Sequence, residues 1–156
     1  FARFPVGKTT EDAFVILDLV QRDSRMVVID TGKYNYRLRD GSITRQKKYH
    51  YSMLDCVRAY EHNYRVACAE LPECRDAARR RLAWAWGRIM WQILETSNYK
   101  QHYWKVRYLQ KKIRQHYYTL LQNPYCRFSD KVIFTLAAIS PILYKTVRNM
   151  TEKLRR

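Results

Sequence analysis

The sequence contains few residues that break helices and few that build turn-rich folds. Only four glycines and four prolines occur among 156 residues, whereas 47% of the residues are hydrophobic. This disfavours an all-β sandwich, which needs frequent turns, and a disordered chain, which lacks apolar residues for a core. No run of about 18 apolar residues occurs, which predicts that no helix spans a membrane. The composition therefore favours long helices, and the length suits either one domain with a packed core or a domain fragment with a helical extension.

The cysteines lack the spacing of a metal site. The four of them include no C-x-x-C pair and no zinc-type pattern with a histidine; they are Cys56, Cys68, Cys74 and Cys126. A disulfide framework or a zinc site stays open as an alternative. Free thiols in a reducing compartment are the simpler interpretation, which predicts a cytoplasmic protein without metal ligands in this chain.

The amino terminus has none of the features of a secretory signal, because no charged segment precedes an apolar one. The chain also begins with Phe1 rather than with methionine. We therefore expect it to be part of a longer polypeptide.

Positive charge is concentrated in the second part of the chain. The net charge is +16, and residues 51–156 carry twenty Lys and Arg against eight Asp and Glu. Between Thr96 and Ser129 there is no acidic residue at all. Such a surface attracts phosphate groups, whether they belong to nucleic acid, anionic lipid or a phosphorylated acceptor.

Hydrophobic periodicity divides the sequence into two regions. In residues 1–46 it predicts a helix that begins at Glu11, is capped by Thr9 or Thr10, and ends near Arg22–Ser24. Two short strands, Met26–Asp30 and Tyr34–Arg39, and a loop follow. In residues 47–156, apolar side chains recur at three- and four-residue steps, which predicts four or five helices. We expect a cap at Ser129-Asp130, and breaks at Pro72, Asn123-Pro124 and Pro141. The predicted fold class is mainly α, with a small α/β portion of one helix and two short strands.

An ordered set of motifs occupies the first 44 residues, and one more lies near the end. They are Phe4-Pro5-x-Gly7, Glu11-Asp12, Val27-Val28-Ile29-Asp30, Tyr34-x-Tyr36-Arg37-x-Arg39-x-Gly41-Ser42-Ile43-Thr44 and Ser140-Pro141-x-Leu143-Tyr144-Lys145. In this order the first four resemble the end of the catalytic domain in family 2 glycosyltransferases. The last is similar to the C-terminal tails of bacterial members.

The resemblance implies a GT-A fold, with residues 1–46 ending the catalytic domain and residues 47–156 forming a basic helical C-terminal region. It implies an enzyme that moves a sugar, with inversion, from a nucleotide-sugar to a hydroxyl of a sugar or lipid-linked acceptor. Cell-surface polysaccharide or glycolipid synthesis is the expected process. Asp12 matches the base that takes the acceptor proton, and Glu11 is its neighbour. A second set matches a loop that closes over the donor diphosphate: Arg37, Arg39, Ser42 and Thr44.

Simpler interpretations exist for both sets. Carboxylates in the first turn of a helix commonly complement its dipole, and the basic loop is also typical of a solvated strand end. The aspartate-rich motif that binds nucleotide and metal in the family lies upstream and is absent here. The resemblance therefore implies Mg²⁺ or Mn²⁺ for the full-length enzyme, no cofactor in this chain, and no activity for this chain alone.

The basic segment from Asn98 to Phe128 alternates cations with aromatic residues. This pattern fits single-stranded nucleic acid, although no nucleic-acid motif accompanies it, so nucleic acid is the least favoured partner. It also fits an anionic membrane surface at the inner face of the membrane, with Val132–Leu143 as an apolar element. The simplest interpretation is a solvated basic face of a helical bundle. Three tryptophans are expected in the core or in a subunit interface: Trp84, Trp86 and Trp91. Apolar residues of the segment Phe14–Val20 predict that the chain self-associates.

Overall fold

The protein is mainly helical, as the sequence predicted. The structure, a computed structural model, describes residues 3–22, 25, 27, 29–33, 35 and 48–154. In these ranges there are seven α-helices: α1 Glu11–Arg22, α2 Asp55–Glu70, α3 Arg75–Glu95, α4 Tyr103–Gln115, α5 Tyr117–Gln122, α6 Phe128–Ile139 and α7 Pro141–Leu154. Single 3-10 turns precede α2, α3 and α4, at Tyr51–Leu54, Pro72–Cys74 and Tyr99–His102. None of the described helices is both long and apolar enough to cross a membrane.

Helix α3 is the centre of the core and packs against α2, α4, α6 and α7. Its buried side chains lie on one side of the helix: Leu82, Ala83, Ala85, Trp86, Ile89, Met90, Ile93 and Leu94. Each large apolar side chain removed from water contributes about 1.5–3 kcal/mol, so this helix supplies much of the stability. Gly87 lets α7 approach closely, because a Cβ atom there would lie 3.0 Å from the buried Tyr144 hydroxyl.

Helix α1 joins this body through α2. Its buried residues are Ala13 and Val15, and Asn63 of α2 donates a 2.8 Å hydrogen bond from Nδ2 to the Ala13 carbonyl. The helix that carries the Glu11-Asp12 motif is therefore held by packing and by a buried polar contact.

The carboxyl end of α6 is capped by side chains of α4. Gln110 is buried, and its Nε2 lies 3.3, 2.9 and 3.3 Å from the carbonyl oxygens of Ala137, Ala138 and Ile139. Arg114 donates from Nε to the Ala138 carbonyl at 2.6 Å. The last carbonyl groups of a helix have no partner within the helix, so these contacts fix the end of α6.

The first predicted strand is not supported. Val27 and Ile29 belong to no strand and are 84% and 62% exposed, and the described residues contain no strand that could pair with them. A β-branched sequence forms a strand only when a neighbouring strand accepts its backbone hydrogen bonds. The second predicted strand, Tyr34–Arg39, lies outside the described residues except for Asn35.

Residues 48–154 contain six α-helices rather than the expected four or five. Apolar side chains recur without a break from Val106 to Leu120, but the chain bends at His116, whose φ and ψ are −102° and 6°. The bend brings the His116 ring onto Trp86, with centroids 5.2 Å apart. The predicted cap at Ser129-Asp130 is also shifted: α6 begins at Phe128, and Asp130 accepts a 3.0 Å hydrogen bond from the Arg127 backbone. The breaks at Pro72, Asn123-Pro124 and Pro141 are confirmed.

Candidate functional site

Asp12 stands in the first turn of α1, as the sequence predicted. Its Oδ1 accepts a 2.8 Å hydrogen bond from the Ala13 backbone N–H, and the residue is exposed. Backbone N–H groups and the helix dipole both stabilise a carboxylate at this position. No hydrogen bond to its Oδ2 is formed by the described residues, which leaves that oxygen open to a ligand.

The turn before α1 is strained. Thr10 has φ 63°, in the left-handed region, where a β-branched residue is uncommon. Such a conformation costs about 1–3 kcal/mol and persists only where the surroundings hold it. Strained residues cluster at functional sites. Because Thr10 lies next to Glu11-Asp12, we consider this turn a candidate functional site.

Asp55 holds this turn against the helical body. Its carboxylate accepts hydrogen bonds from the Thr9 backbone at 3.2 Å, Arg58 at 2.8 Å and Lys8 at 3.4 Å. Thr9 also donates from its hydroxyl to the Ser52 carbonyl at 2.8 Å. Asp55 is 1% exposed, and this burial alone would raise the pKa of its carboxyl group. The hydrogen bonds from Arg58 and Thr9 and the charge of Lys8 have the larger combined effect, so the pKa is lowered. A buried, charged anchor thus positions the start of α1.

Asp12 borders an open pocket of about 490 Å³ between α1, α2 and α3. Most of the lining is apolar, and the polar or reactive side chains in it are Asp12, Tyr60, Asn63, Cys74 and Arg81. Arg81 donates a 3.0 Å hydrogen bond to the Tyr60 hydroxyl and lies over the Tyr60 and Trp84 rings. Its positive charge is paired with no carboxylate of the described residues. The pocket therefore combines a carboxylate, a cation and apolar walls.

Asn63 supplies an unsatisfied acceptor at this pocket. The residue is 6% exposed, and its buried Oδ1 has no hydrogen-bond partner among the described residues, whereas its Nδ2 donates to the Ala13 carbonyl. A buried polar atom without a partner costs about 1–3 kcal/mol, and most native structures satisfy such atoms. The atom therefore carries a desolvation cost that no contact among the described residues offsets.

The structure brings together only part of the predicted site. Glu11 is exposed beside Asp12 but does not line the pocket. The diphosphate-loop residues lie outside the described residues: Arg37, Arg39, Ser42 and Thr44. Sequence reasoning missed Asn63, Arg81 and Asp55. The signal for Asn63 was a polar residue three positions after Tyr60 on an otherwise apolar face of α2, whereas Arg81 and Asp55 had no local signal.

The described part of the chain offers no group of three or more His, Cys, Asp or Glu side chains that could hold a metal. All four cysteines are free thiols; Cys56 and Cys126 are buried, and burial raises the pKa of both thiols. Cys68 and Cys74 are exposed.

The tryptophans of α3 are covered rather than open. Trp86 is 2% exposed, and Trp84 and Trp91 pack against the core. Arg81 and Arg88 lie over the Trp84 ring, at 4.8 and 5.0 Å. Of the two expected locations, the core is the one in which the structure places Trp86, with Trp84 and Trp91 packed against it.

Comparison of the chain with protein-family models, curated proteins and solved structures finds no match. The assignment of a function therefore depends on the order of the motifs and on the geometry around Asp12.

Proposed function

We propose that this chain is the C-terminal, acceptor-side part of an inverting glycosyltransferase that moves a sugar from a nucleotide-sugar to a hydroxyl acceptor. The observation that carries the proposal is Asp12, a carboxylate at the start of α1 with one free oxygen at an open pocket. The order of motifs around it supports the same assignment. In this proposal residues 1–46 end a GT-A catalytic domain, and residues 47–156 are its basic helical region.

Asp12 acts as the general base of the transfer. As the acceptor oxygen attacks the anomeric carbon, its proton passes to Asp12 Oδ2, and the bond from that carbon to the diphosphate breaks. The products are the new glycoside, with inverted configuration, and a nucleoside diphosphate. The hydrogen bond from Ala13 to Oδ1 holds the carboxylate in place while Oδ2 stays free to accept the proton.

The pocket suits an acceptor that has both polar and apolar parts. Arg81 offers a positive charge to a phosphate or hydroxyl. The remaining walls are mainly aliphatic, including Ile16 and Leu17 of α1. This combination favours a lipid-linked sugar acceptor in cell-surface polysaccharide or glycolipid synthesis, at the cytoplasmic face of the membrane.

The donor half of the reaction belongs to the part of the enzyme upstream of this chain. The described residues contain no metal-ligating group of three or more side chains, so we assign them no role in holding Mg²⁺ or Mn²⁺. In this proposal, four residues close over the donor diphosphate: Arg37, Arg39, Ser42 and Thr44. The chain alone is inactive, and it self-associates through apolar residues of α1 such as Ile16, Leu19 and Val20, which are 40–49% exposed.

The test is Asp12→Asn in the full-length enzyme, with release of nucleoside diphosphate as the measurement. Asparagine retains an oxygen that can accept the Ala13 N–H but takes no proton, so we expect kcat to fall about 10²–10⁴-fold while the KM for the donor changes little. The matched control is Asp18→Asn, which removes the same charge from the same helix outside the pocket. Near-normal turnover of Asp12→Asn, or an equal loss in Asp18→Asn, would exclude Asp12 as the base.

A second candidate is a non-enzymatic basic helical module that binds an anionic membrane surface or nucleic acid. The exposed cations and aromatic rings of α4 favour it. The same assay separates the two, because a binding module releases no nucleoside diphosphate from any sugar nucleotide in its full-length form.

A further inference from the structure

One side of α4 presents cations and aromatic rings to solvent. Its members recur at three- and four-residue steps and line a depression of about 380 Å³ together with Gln110: Trp104, Arg107, Tyr108, Lys111 and Arg114. We call these five residues the α4 surface. Trp104 and Tyr108 are 66% and 50% exposed, although large rings are usually covered. The opposite side of α4 buries Val106, Leu109 and Ile113 in the core.

Two of the three cations of the α4 surface donate hydrogen bonds to neutral groups. Arg107 donates a 2.7 Å hydrogen bond to Gln110 Oε1, and Arg114 donates to the carbonyl groups of Ala138 and Ile139. Within the described ranges none of these three cations forms an ion pair, and the sequence has no acidic residue between Thr96 and Ser129. The three charges therefore keep their full attraction for an anionic partner.

Exposed aliphatic side chains adjoin these cations. The bonds from Arg114 place it at the carboxyl end of α6, where Ile139 is 63% exposed. Ile142 and Leu143, in the first turn of α7, are 48% and 43% exposed. A surface of cations, interfacial aromatic rings and aliphatic side chains is the combination that binds the headgroup region of a bilayer.

We propose that the α4 surface and the α6–α7 corner, defined as Ile139, Ile142 and Leu143, together dock this protein onto an anionic lipid surface. Arg107, Lys111 and Arg114 contact lipid phosphates, while Trp104 and Tyr108 enter the interfacial region. The aliphatic corner enters the outer acyl chains. Single-stranded nucleic acid would contact the cations and the aromatic rings but not the aliphatic corner. A lipid surface would contact all three groups, so it is the partner that we propose. The inference is independent of glycosyl transfer.

The test measures flotation of the intact protein with vesicles of equimolar phosphatidylglycerol and phosphatidylcholine, against vesicles of pure phosphatidylcholine. Wild-type protein binds the anionic vesicles, and added salt weakens the binding. Each cation near an anionic surface contributes about fivefold to the affinity, so Arg107→Gln/Lys111→Gln should weaken binding about 30-fold. Arg114 is left in place because it caps α6.

The matched control is Arg65→Gln/Arg75→Gln, which removes the same charge from exposed positions on α2 and α3. It should weaken binding less than about threefold, because these cations lie outside the proposed surface. An equal loss in both double variants would show non-specific attraction to the net charge, and it would overturn the proposal.

Two further measurements separate lipid from nucleic acid. Brominated lipids should quench the fluorescence of wild-type protein, and Trp104→Phe should remove most of this quenching, since the other three tryptophans are at least partly buried. Ile139→Ser/Ile142→Ser should weaken vesicle binding about tenfold and leave the fold intact, because both side chains are exposed. The proposal is wrong if wild-type protein binds single-stranded RNA but not the anionic vesicles. It is also wrong if vesicle binding does not change in the aliphatic variant.

Discussion

Replacing Asp55 by alanine should loosen the turn that carries Glu11-Asp12 and destabilise the whole helical body. The carboxylate accepts hydrogen bonds from Thr9, Arg58 and Lys8, and a bond to a charged group contributes about 1.5–3 kcal/mol when it is buried. The side chains of Arg58 and Lys8 are 46% and 37% exposed, so solvent screens their share to about 1 kcal/mol or less each. We therefore expect Asp55→Ala to lower the free energy of unfolding by about 2–4 kcal/mol, and the conservative Asp55→Asn by about half as much.

Urea unfolding followed by circular dichroism measures this loss. The matched control is Asp76→Ala, which removes a similar first-turn carboxylate that pairs with Arg79 at 2.8 Å but is 35% exposed. That change should cost about 1 kcal/mol or less, because solvent reaches the Asp76 carboxylate and screens its charge. Amide exchange at Ala13 should also become faster in Asp55→Ala than in Asp76→Ala. If the two variants lost equal stability and exchanged equally, the buried-anchor reasoning would be refuted.

The contribution of Asp55 has a defined pH dependence. Its pKa in the folded protein is below its ordinary value of 3.8, so the unfolded chain binds the proton more readily. The stabilisation is therefore complete above about pH 4 and is lost as the pH falls through the lower, folded-state pKa. Wild-type protein should converge in stability with Asp55→Ala only in this acidic range.

Two other predictions concern titratable groups outside the site. Burial, and then the charges of Arg79 and Lys112, lower the pKa of His116 from its ordinary value of 6.5. The free energy of unfolding should therefore fall as the pH decreases through 6.5, because the unfolded chain binds the proton more readily. In thermal unfolding, His116→Gln should remove this part of the pH dependence. Cys68 and Cys74 should react quickly with a thiol reagent in the folded protein, whereas the buried Cys56 and Cys126 should react only on unfolding. Equal reaction rates for all four thiols would contradict this burial pattern.

The helices could be predicted because their signal is local. The steps between Leu82, Trp86, Ile89 and Ile93 place these side chains on one side of α3, and all four are buried. Proline positions likewise indicated where α3 and α7 begin, because proline suits the start of a helix. The position of Asp12 in the first turn of α1 followed from the same kind of local pattern.

Contacts between distant parts of the chain could not be predicted in this way. Asp55 bonds to Thr9 across 46 positions, and Asn63 bonds to Ala13 across 50. The hydrophobic periodicity of a single segment gives no information about such pairs. The strand prediction at Met26–Asp30 failed for a related reason, since a strand depends on a partner elsewhere in the chain. The bend at His116 is set by packing of its ring on Trp86, which is again a contact between two helices.

The cap that Gln110 and Arg114 provide for α6 has a consequence for the order of folding. The carbonyl groups at the end of α6 obtain their partners from residues 24 to 29 positions earlier in the chain. Helix α6 therefore cannot complete its last turn, and α7 cannot take its direction, until α4 has docked. Opening α4 would leave the carbonyl groups at the end of α6 without these partners. The carboxyl-terminal third of the protein should thus open and close as one cooperative unit rather than fray from its end.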